Sequence, residues 1–160
     1  MDFTQRLMQT KRILTAFALV MMTFWAAWAD TSMNERADNI VGDYEGSHSH
    51  VDFKVRFSKN ADGTYNAQMT YVQNVVDAKG NIQYDTKNPD KTRRNIPIDK
   101  VVIIEGLRYN AEKRQWDGAK IYDPQRGIKV KVTARFLDSK RLKLRGSVLG
   151  IGESVVWEKR

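Results

Sequence analysis

The fold is decided around residues 116–127, which read Trp116-Asp117-Gly118-Ala119-Lys120-Ile121-Tyr122-Asp123-Pro124-Gln125-Arg126-Gly127. This stretch predicts a strand that enters a turn, because Asp-Pro and Gly are residues that tight turns favour. On a strand, Trp116, Lys120 and Tyr122 share one face, whereas Ala119 and Ile121 share the other. If the aromatic face points inward, the stretch is a candidate binding site. If Ala119 and Ile121 point inward, it is mainly a turn.

Segments on both sides of this stretch alternate apolar and polar residues, which is typical of half-buried strands. No amphipathic helix is evident after residue 40. About eight strands joined by turns close best as an up-and-down barrel, which leaves no exposed edge. The predicted fold is therefore all-β, a single antiparallel barrel whose interior is either filled by side chains or holds one small ligand. The predicted strands cover about 40–46, 51–57, 64–72, 100–107, 116–123, 130–136, 142–148 and 153–159.

The N-terminal segment has the features of a secretory signal peptide. Three basic residues precede an uncharged, largely apolar run over 13–25, and Ala27-Trp28-Ala29 provides a small-residue cleavage site. A membrane anchor is the alternative, but a spanning helix needs about 20 apolar residues and this run is shorter. The predicted organisation is a signal peptide over 1–29, a flexible lead-in over 30–39 and a barrel over 40–160.

The composition limits which cellular compartment and which classes of partner we expect. The chain contains no cysteine, so we expect no lipid-modified N-terminal cysteine and a periplasmic or secreted protein that is not a lipoprotein. Its formal net charge is +8, of which residues 1–29 contribute +2 through Arg6, Lys11 and Arg12 against Asp2. For an exported basic protein we expect an anionic lipid, polymer or ligand as partner rather than nucleic acid.

Short motifs in the predicted barrel occur in a recognisable order. They are Gly42-Asp43-Tyr44, Asp62-Gly63-Thr64-Tyr65, Asp85 with Asn88-Pro89-Asp90, Arg93 to Pro97, Trp116-x-Gly118-x-x-Ile121-Tyr122-Asp123-Pro124-x-x-Gly127, Leu142-x-x-x-Gly146 and Trp157. This order resembles the bacterial family called domain of unknown function 2147, over essentially Ile40 to Arg160. The resemblance implies an exported, small, lipocalin-like β-barrel without an established activity. The chain departs from the family at Tyr44, where tryptophan is usual, and at Val130, where an aromatic residue is usual.

The first functional hypothesis is that the barrel mouth binds a small amphipathic or anionic molecule. An inward Lys120 would need an anionic partner because its desolvation is costly, and a ligand carboxylate or phosphate would provide one. The alternative is that Asp123 caps a turn and Lys120 pairs with a protein carboxylate or reaches the rim. The candidate ligand-binding residues are Trp116, Lys120, Tyr122, Asp123, Tyr65, Tyr71, Trp157, Asp85, Asn88 and Arg93.

The second hypothesis is an envelope interaction protein that uses a basic outer surface. Six basic residues are predicted to point outward from two neighbouring strands, where they would favour anionic lipid or lipopolysaccharide. The alternative is a solvated exterior with compensating carboxylates on neighbouring strands. These six residues are Lys129, Lys131, Arg135, Arg141, Lys143 and Arg145.

Two further chemistries receive less support from the sequence. His48 and His50 share a predicted strand face with Asp52, but a pair of histidines falls short of a full ligand set, so no metal or cofactor is predicted. The sequence shows no nucleophile elbow, thiol nucleophile, glycine-rich phosphate loop or metalloprotease helix. A carboxylate-based hydrolase would depend on Asp85 and Asp123 lying close together. The sequence leaves the ligand and the oligomeric state open.

Overall fold

The computed structural model describes residues 31–148 and 151–160. The predicted signal peptide over 1–29 lies outside the described residues. No helix within the described part is long and apolar enough to cross a membrane.

Eight antiparallel strands form one closed barrel in sequence order. Strand β8 closes the barrel against β1 through the pairs Tyr44 with Lys159 and Glu45 with Glu158. The predicted fold is therefore confirmed, including the number of strands and their up-and-down order. The strands are β1 (Gly42–His48), β2 (Val51–Lys59), β3 (Tyr65–Val72), β4 (Val102–Asn110), β5 (Gln115–Asp123), β6 (Ile128–Phe136), β7 (Arg141–Val148) and β8 (Ile151–Lys159).

Alternation along the strands separates the barrel interior from its outer surface. On β6, Val132, Ala134 and Phe136 are buried, while Lys131 and Arg135 between them are exposed. This pattern follows from the two-residue period of a strand, which sends successive side chains to opposite faces of the sheet. The apolar residues of the alternating pattern thus form the core inside the barrel.

One end of the barrel is closed by the segment that the sequence predicted to be a flexible lead-in. Residues 31–40 instead form two 3-10 helices, Thr31–Asn34 and Ala37–Ile40. Asn34 is fully buried, where its Nδ2 donates to the carbonyl of Phe136 at 2.9 Å and its Oδ1 accepts from the Phe136 amide at 2.7 Å. The segment is therefore ordered because its polar groups bond to the barrel backbone, a long-range contact that the local polar sequence does not reveal.

A β-bulge in β5 changes which side chains point inward. The register of β5 against β6 shifts between Trp116 and Ala119, and Gly118 has a φ of +80°. An extra residue in one strand reverses the alternation beyond it, and glycine accepts the positive φ without strain. Trp116 and Ile121 therefore both face the interior, although simple alternation would place them on opposite sides.

Candidate functional site

The open end of the barrel contains a cavity of about 480 Å³ to which all eight strands contribute. Its wall is predominantly apolar, and Phe53, Met69, Ile121, Leu144 and Trp157 are among the residues that line it. Ligand pockets commonly have volumes of roughly 300–1,000 Å³ and apolar walls with a few polar groups. The cavity therefore has the size and character of a site for one small molecule.

Polar side chains at the cavity occupy the strand ends and the turn after β5. They include His48, Asp123, Arg126, Ser147 and Glu153. Arg126 Nε lies 3.4 Å from Asp123 Oδ2, and both side chains are partly exposed. An exposed ion pair of this kind contributes little to stability, so its members can exchange partners at low cost. The site thus combines an apolar interior with a polar, titratable rim.

Trp157 and Tyr122 are predicted ligand-binding aromatic residues that line the cavity and are buried. Trp157 lies on β8. Its ring packs edge-to-face against Phe53, with centroids 5.7 Å apart. A Cβ built on Gly46 would lie 2.7 Å from Trp157 Cδ1, so only glycine lets the indole pack this closely against β1. Among the buried side-chain nitrogen and oxygen atoms in the described part of the chain, Trp157 Nε1 is the one without a hydrogen-bond partner.

Two other predicted aromatic residues lie at the closed end. Trp116 is fully buried and its Nε1 donates to the carbonyl of Ala37 at 3.0 Å. Tyr65 is also buried and its hydroxyl donates to the Asp38 carboxylate. Neither residue lines the cavity. The expectation that they contribute to its wall is therefore wrong. Both side chains face inward, but they do so at the closed end, where they pack against the N-terminal segment.

Lys120 lies on the outer surface, whereas the ligand-binding hypothesis requires it to face inward together with Trp116. The bulge at Gly118 lies between the two residues and reverses the alternation, so Lys120 is exposed and stands opposite Lys131 of β6. The cavity is consequently lined by Ile121 rather than by an ammonium group.

Tyr71 also points outward, for a similar reason. The pairing of β2 with β3 shifts by one residue, so Tyr71 stands opposite Lys54 and Val72 stands opposite Phe53. The Tyr71 ring is 45% exposed, with Lys54 Nζ 5.9 Å from its centroid. Val72 takes the inward position that the alternating pattern assigned to Tyr71.

Tyr122, Asp85 and Asn88 form a buried cluster that attaches the long loop between β3 and β4 to β5. The Tyr122 hydroxyl donates to Asp85 Oδ1 at 2.7 Å, and Asn88 Nδ2 donates to Asp85 Oδ2 at 2.6 Å. Burial, reinforced by the Asp85 carboxylate, raises the pKa of Tyr122, which keeps the hydroxyl protonated as a donor. Arg93, from the same loop, bonds Glu105 at 2.6 Å outside the cluster.

The turn after β5 is shaped to receive this loop. Asp123 Oδ1 accepts from the Gln125 amide at 2.9 Å, as expected of an Asx turn. Gly127 has a φ of +71°, and a Cβ added there would lie 2.4 Å from the carbonyl oxygen of Lys87. In the Ile-Tyr-Asp-Pro-x-x-Gly motif, Ile121 therefore lines the cavity, Gly127 contacts the loop, and Tyr122 does both.

Both carboxylates considered for hydrolase chemistry already have bonding partners within the chain. The oxygens of Asp85 accept from Tyr122 and Asn88, and the Asp85 side chain is only 1% exposed. Asp123 caps its turn and pairs with Arg126. These bonds account for both side chains as structural groups.

The two histidines do not share a strand face. His48 ends β1 and contributes to the cavity lining, whereas His50 lies exposed in the turn that leads to β2. Ser49 and His50 both have positive φ values, and this tight turn separates the two imidazoles. The described residues contain no group of three or more His, Cys, Asp or Glu side chains that could hold a metal ion.

The sequence prediction missed several apolar residues of the cavity wall. Phe53, Met69, Val132 and Leu144 line the cavity, and all of them occupy inward positions of the alternating pattern. The alternation indicates that these side chains face the interior of the barrel. It does not indicate which end of the barrel is filled and which end remains open.

The two positions at which the chain departs from the family that it resembles lie in different parts of the barrel. Tyr44 is fully buried at the closed end, where its hydroxyl donates to the Ile40 carbonyl at 2.8 Å. Val130 lines the cavity and stands opposite Ile121 across the strand pair. The shape of the cavity is therefore affected by the small residue at 130 and not by the substitution at 44.

Comparisons with known proteins agree on the fold and assign no activity. A family model described as "Uncharacterized protein conserved in bacteria (DUF2147)" matches residues 42–159. A solved structure titled "Protein HP1028 from the human pathogen Helicobacter pylori belongs to the lipocalin family" is similar, with a TM-score of 0.61 and 24% sequence identity. The similarity covers 76% of this chain and 82% of that chain, and at this identity it concerns the fold alone. A comparison with curated proteins finds no significant match.

Proposed function

The chain belongs to the bacterial family of uncharacterised proteins called domain of unknown function 2147, and we propose that it binds a small amphipathic molecule at the open end of its barrel. The observation that carries the proposal is the cavity of about 480 Å³, with its apolar wall and polar rim. A lipocalin-like barrel is consistent with small-molecule binding.

The apolar part of the ligand would occupy the inner cavity. Burial of apolar surface contributes roughly 25 cal/mol per Å², so a hydrocarbon or ring system gains most from contact with Phe53, Leu144 and Trp157.

The polar part of the ligand would lie at the rim. Lys120 cannot hold it, because that side chain is on the outer surface. Arg126 has this role in the proposal, since it lines the cavity and its bond to Asp123 is an exposed ion pair. We therefore expect a ligand with a carboxylate or phosphate to bind more tightly than a neutral analogue of the same apolar structure.

We also propose that the protein is exported, because residues 1–29 have the pattern of a cleavable signal. Sequencing the N-terminus of the protein recovered from its host tests this directly. Cleavage after Ala29 gives a chain that begins at Asp30, whereas an intact N-terminus in the accumulated protein contradicts export by this route.

A pair of phenylalanine substitutions tests the cavity as the binding site. Val130→Phe directs a ring into the cavity at a position where the family usually has an aromatic residue, so we expect the barrel to fold. Val156→Phe is the matched control, because Val156 lies on β8, is 44% exposed and is not part of the cavity wall. The measurement is titration of each protein with 11-(dansylamino)undecanoic acid and with uncharged N-phenyl-1-naphthylamine, followed by fluorescence.

We expect Val130→Phe to weaken both probes by about tenfold or more, because a filled cavity loses the corresponding apolar contacts. Val156→Phe should leave both affinities unchanged. Arg126→Gln should weaken the anionic probe selectively, which tests the polar rim separately from the apolar interior. Equal affinities in the wild type and Val130→Phe, or no binding of either probe by the wild type, would contradict the proposal.

A further inference from the structure

The outer side of β5, β6 and β7 carries a set of exposed cations that we call the basic face. It differs from the predicted basic surface in two members. Lys120 joins it through the bulge at Gly118, and Arg141 leaves it because its guanidinium is bonded to Asp138 at 2.7 Å. The basic face consists of Lys120, Lys129, Lys131, Arg135, Lys143 and Arg145.

The cations of the basic face stand directly opposite one another across neighbouring strands. Lys120 is opposite Lys131, and Arg135 is opposite Lys143. Residues at such positions have Cβ atoms about 5 Å apart, well within the Debye length of about 8–10 Å at physiological salt, so their fields add. Each like-charged pair opposes folding. None of the six side chains forms an ion pair with any residue in the described ranges.

Strands β1 and β2 show the opposite arrangement. There Glu45 binds Lys54 at 3.1 Å and Asp43 binds Arg56 at 2.7 Å, so these cations are neutralised within the sheet. Two carboxylates near the basic face, Asp90 and Glu105, both pair with Arg93. Glu105 is held by Arg93 at 2.6 Å. The six cations of the basic face, by contrast, lie together on three neighbouring strands without an ion pair.

We propose that the basic face docks the protein on a bilayer that contains anionic phospholipid. Lipid headgroups form a broad, diffuse negative surface, which matches cations spread over three strands. One exposed aliphatic side chain borders the face, Val156 opposite Lys143, and aliphatic groups beside cations favour the membrane interface. Single-stranded nucleic acid would require exposed aromatic rings for stacking, and the outward residues described on β5–β7 include none, since Tyr122 is buried under the loop.

The experiment measures sedimentation of the purified protein with vesicles of phosphatidylcholine alone and of phosphatidylcholine with about 30 mol % phosphatidylglycerol. The readout is the difference in the bound fraction of protein between the two kinds of vesicle, because an apolar N-terminal segment would bind both kinds equally. The test variant is Lys131→Glu/Lys143→Glu. The matched control is Arg36→Glu/Lys79→Glu, which makes the same change in net charge at two exposed cations outside β5–β7.

We expect the phosphatidylglycerol-dependent partition coefficient to fall about thirtyfold or more in the test variant, since each basic residue near an anionic surface contributes substantially to binding. It should fall much less in the control, and it should fall for the wild type as NaCl rises from about 0.05 to 0.5 M. Lys131→Gln/Lys143→Gln should show an intermediate loss and provides a second variant if the first does not fold.

Three results would overturn the inference. One is equal binding of the wild type to both vesicles. Another is an equal loss in the test and control variants, which would indicate a general effect of net charge. The third is salt-sensitive binding to heparin without binding to anionic vesicles, which would assign the face to a soluble polyanion. The proposed ligand site is tested separately, because Val130→Phe lies inside the barrel and should leave vesicle binding unchanged.

Discussion

At the scale of single residues, Tyr122 is one of the contacts that join the long loop to the barrel. Its hydroxyl is a buried donor to Asp85, a residue 37 positions earlier in the chain. We expect Tyr122→Phe to lower the free energy of unfolding by about 1–3 kcal/mol, because it leaves a buried carboxylate oxygen without its donor. Urea denaturation measures this. Tyr71→Phe serves as the control, since Tyr71 is exposed, and an equal loss in the two variants would contradict the assigned role.

Gly127 provides a second test of the contact between the turn and the loop. Gly127→Ala combines a positive φ with a Cβ that would lie 2.4 Å from the Lys87 carbonyl oxygen. Gly63→Ala has a similar φ of +80° but no atom within 4 Å of the added Cβ. We expect Gly127→Ala to be more destabilising by about 1–3 kcal/mol, measured as the difference between the two urea unfolding curves. Equal losses would indicate backbone strain alone.

At the scale of elements, the basic face predicts that β5 and β6 repel each other. Lys131→Glu converts the pair with Lys120 from repulsive to attractive, so we expect it to raise the free energy of unfolding by about 0.5–1 kcal/mol at low salt. Added NaCl should reduce the gain, because screening weakens both interactions. Thermal unfolding at two salt concentrations measures the effect, and a lower melting temperature at low salt would contradict the prediction.

The N-terminal segment is an element whose role depends on one side chain. Asn34 satisfies both backbone groups of Phe136, so Asn34→Ala should cost about 2 kcal/mol by leaving a buried donor and acceptor unpaired. Glu35→Ala should cost less than about 0.5 kcal/mol, because Glu35 forms only an exposed ion pair with Arg114. Urea denaturation distinguishes the two, and a tolerant Asn34→Ala would show that the segment contributes little to closing the barrel.

At the scale of the whole molecule, surface carboxylates make stability depend on pH. A hydrogen bond from Arg56 lowers the pKa of Asp43, and a hydrogen bond from Arg160 lowers the pKa of Glu45. A carboxyl group whose pKa is lower in the folded state contributes stability that is fully present above the unfolded pKa, about 4, and is lost as pH falls through the folded pKa. We therefore expect the urea midpoint to fall progressively from about pH 5 to pH 2.

Asp43→Asn provides the control for this acid sensitivity. It removes one of the groups with a lowered pKa, so its midpoint should vary less steeply with pH than that of the wild type, while lying below it at neutral pH. A midpoint that stays constant down to about pH 3 in the wild type would contradict the assignment.

The closed end of the barrel stabilises the fold, whereas the open end contains the proposed binding cavity. The closed end is filled by aromatic rings such as Trp116 and Phe136, whose centroids are 5.7 Å apart, and by the N-terminal segment. The open end keeps the cavity around Val130 and Leu144. Substitutions at the closed end should accordingly reduce stability, whereas substitutions in the cavity wall should mainly change ligand affinity.

The sequence by itself determined the fold class, the number of strands and the outward direction of the cations on β6 and β7. These follow from period-two alternation, which is a local property of a strand. Tertiary structure decided where alternation breaks. The bulge at Gly118 separates Lys120 from Trp116, and its effect appears only when β5 pairs with β6, because a glycine in a strand is compatible with both registers.

Tertiary structure alone also decided which residues form the site. Tyr122 and Asp85 both stood out in the sequence, but nothing local indicates that they bond to each other. Alternation identified Val130 and Leu144 as inward residues, yet it could not indicate that their end of the barrel stays open. That depends on Asn34 and its neighbours folding back on the opposite end, and long-range contacts of this kind are set by packing and hydrogen bonding between distant segments rather than by local residue preference.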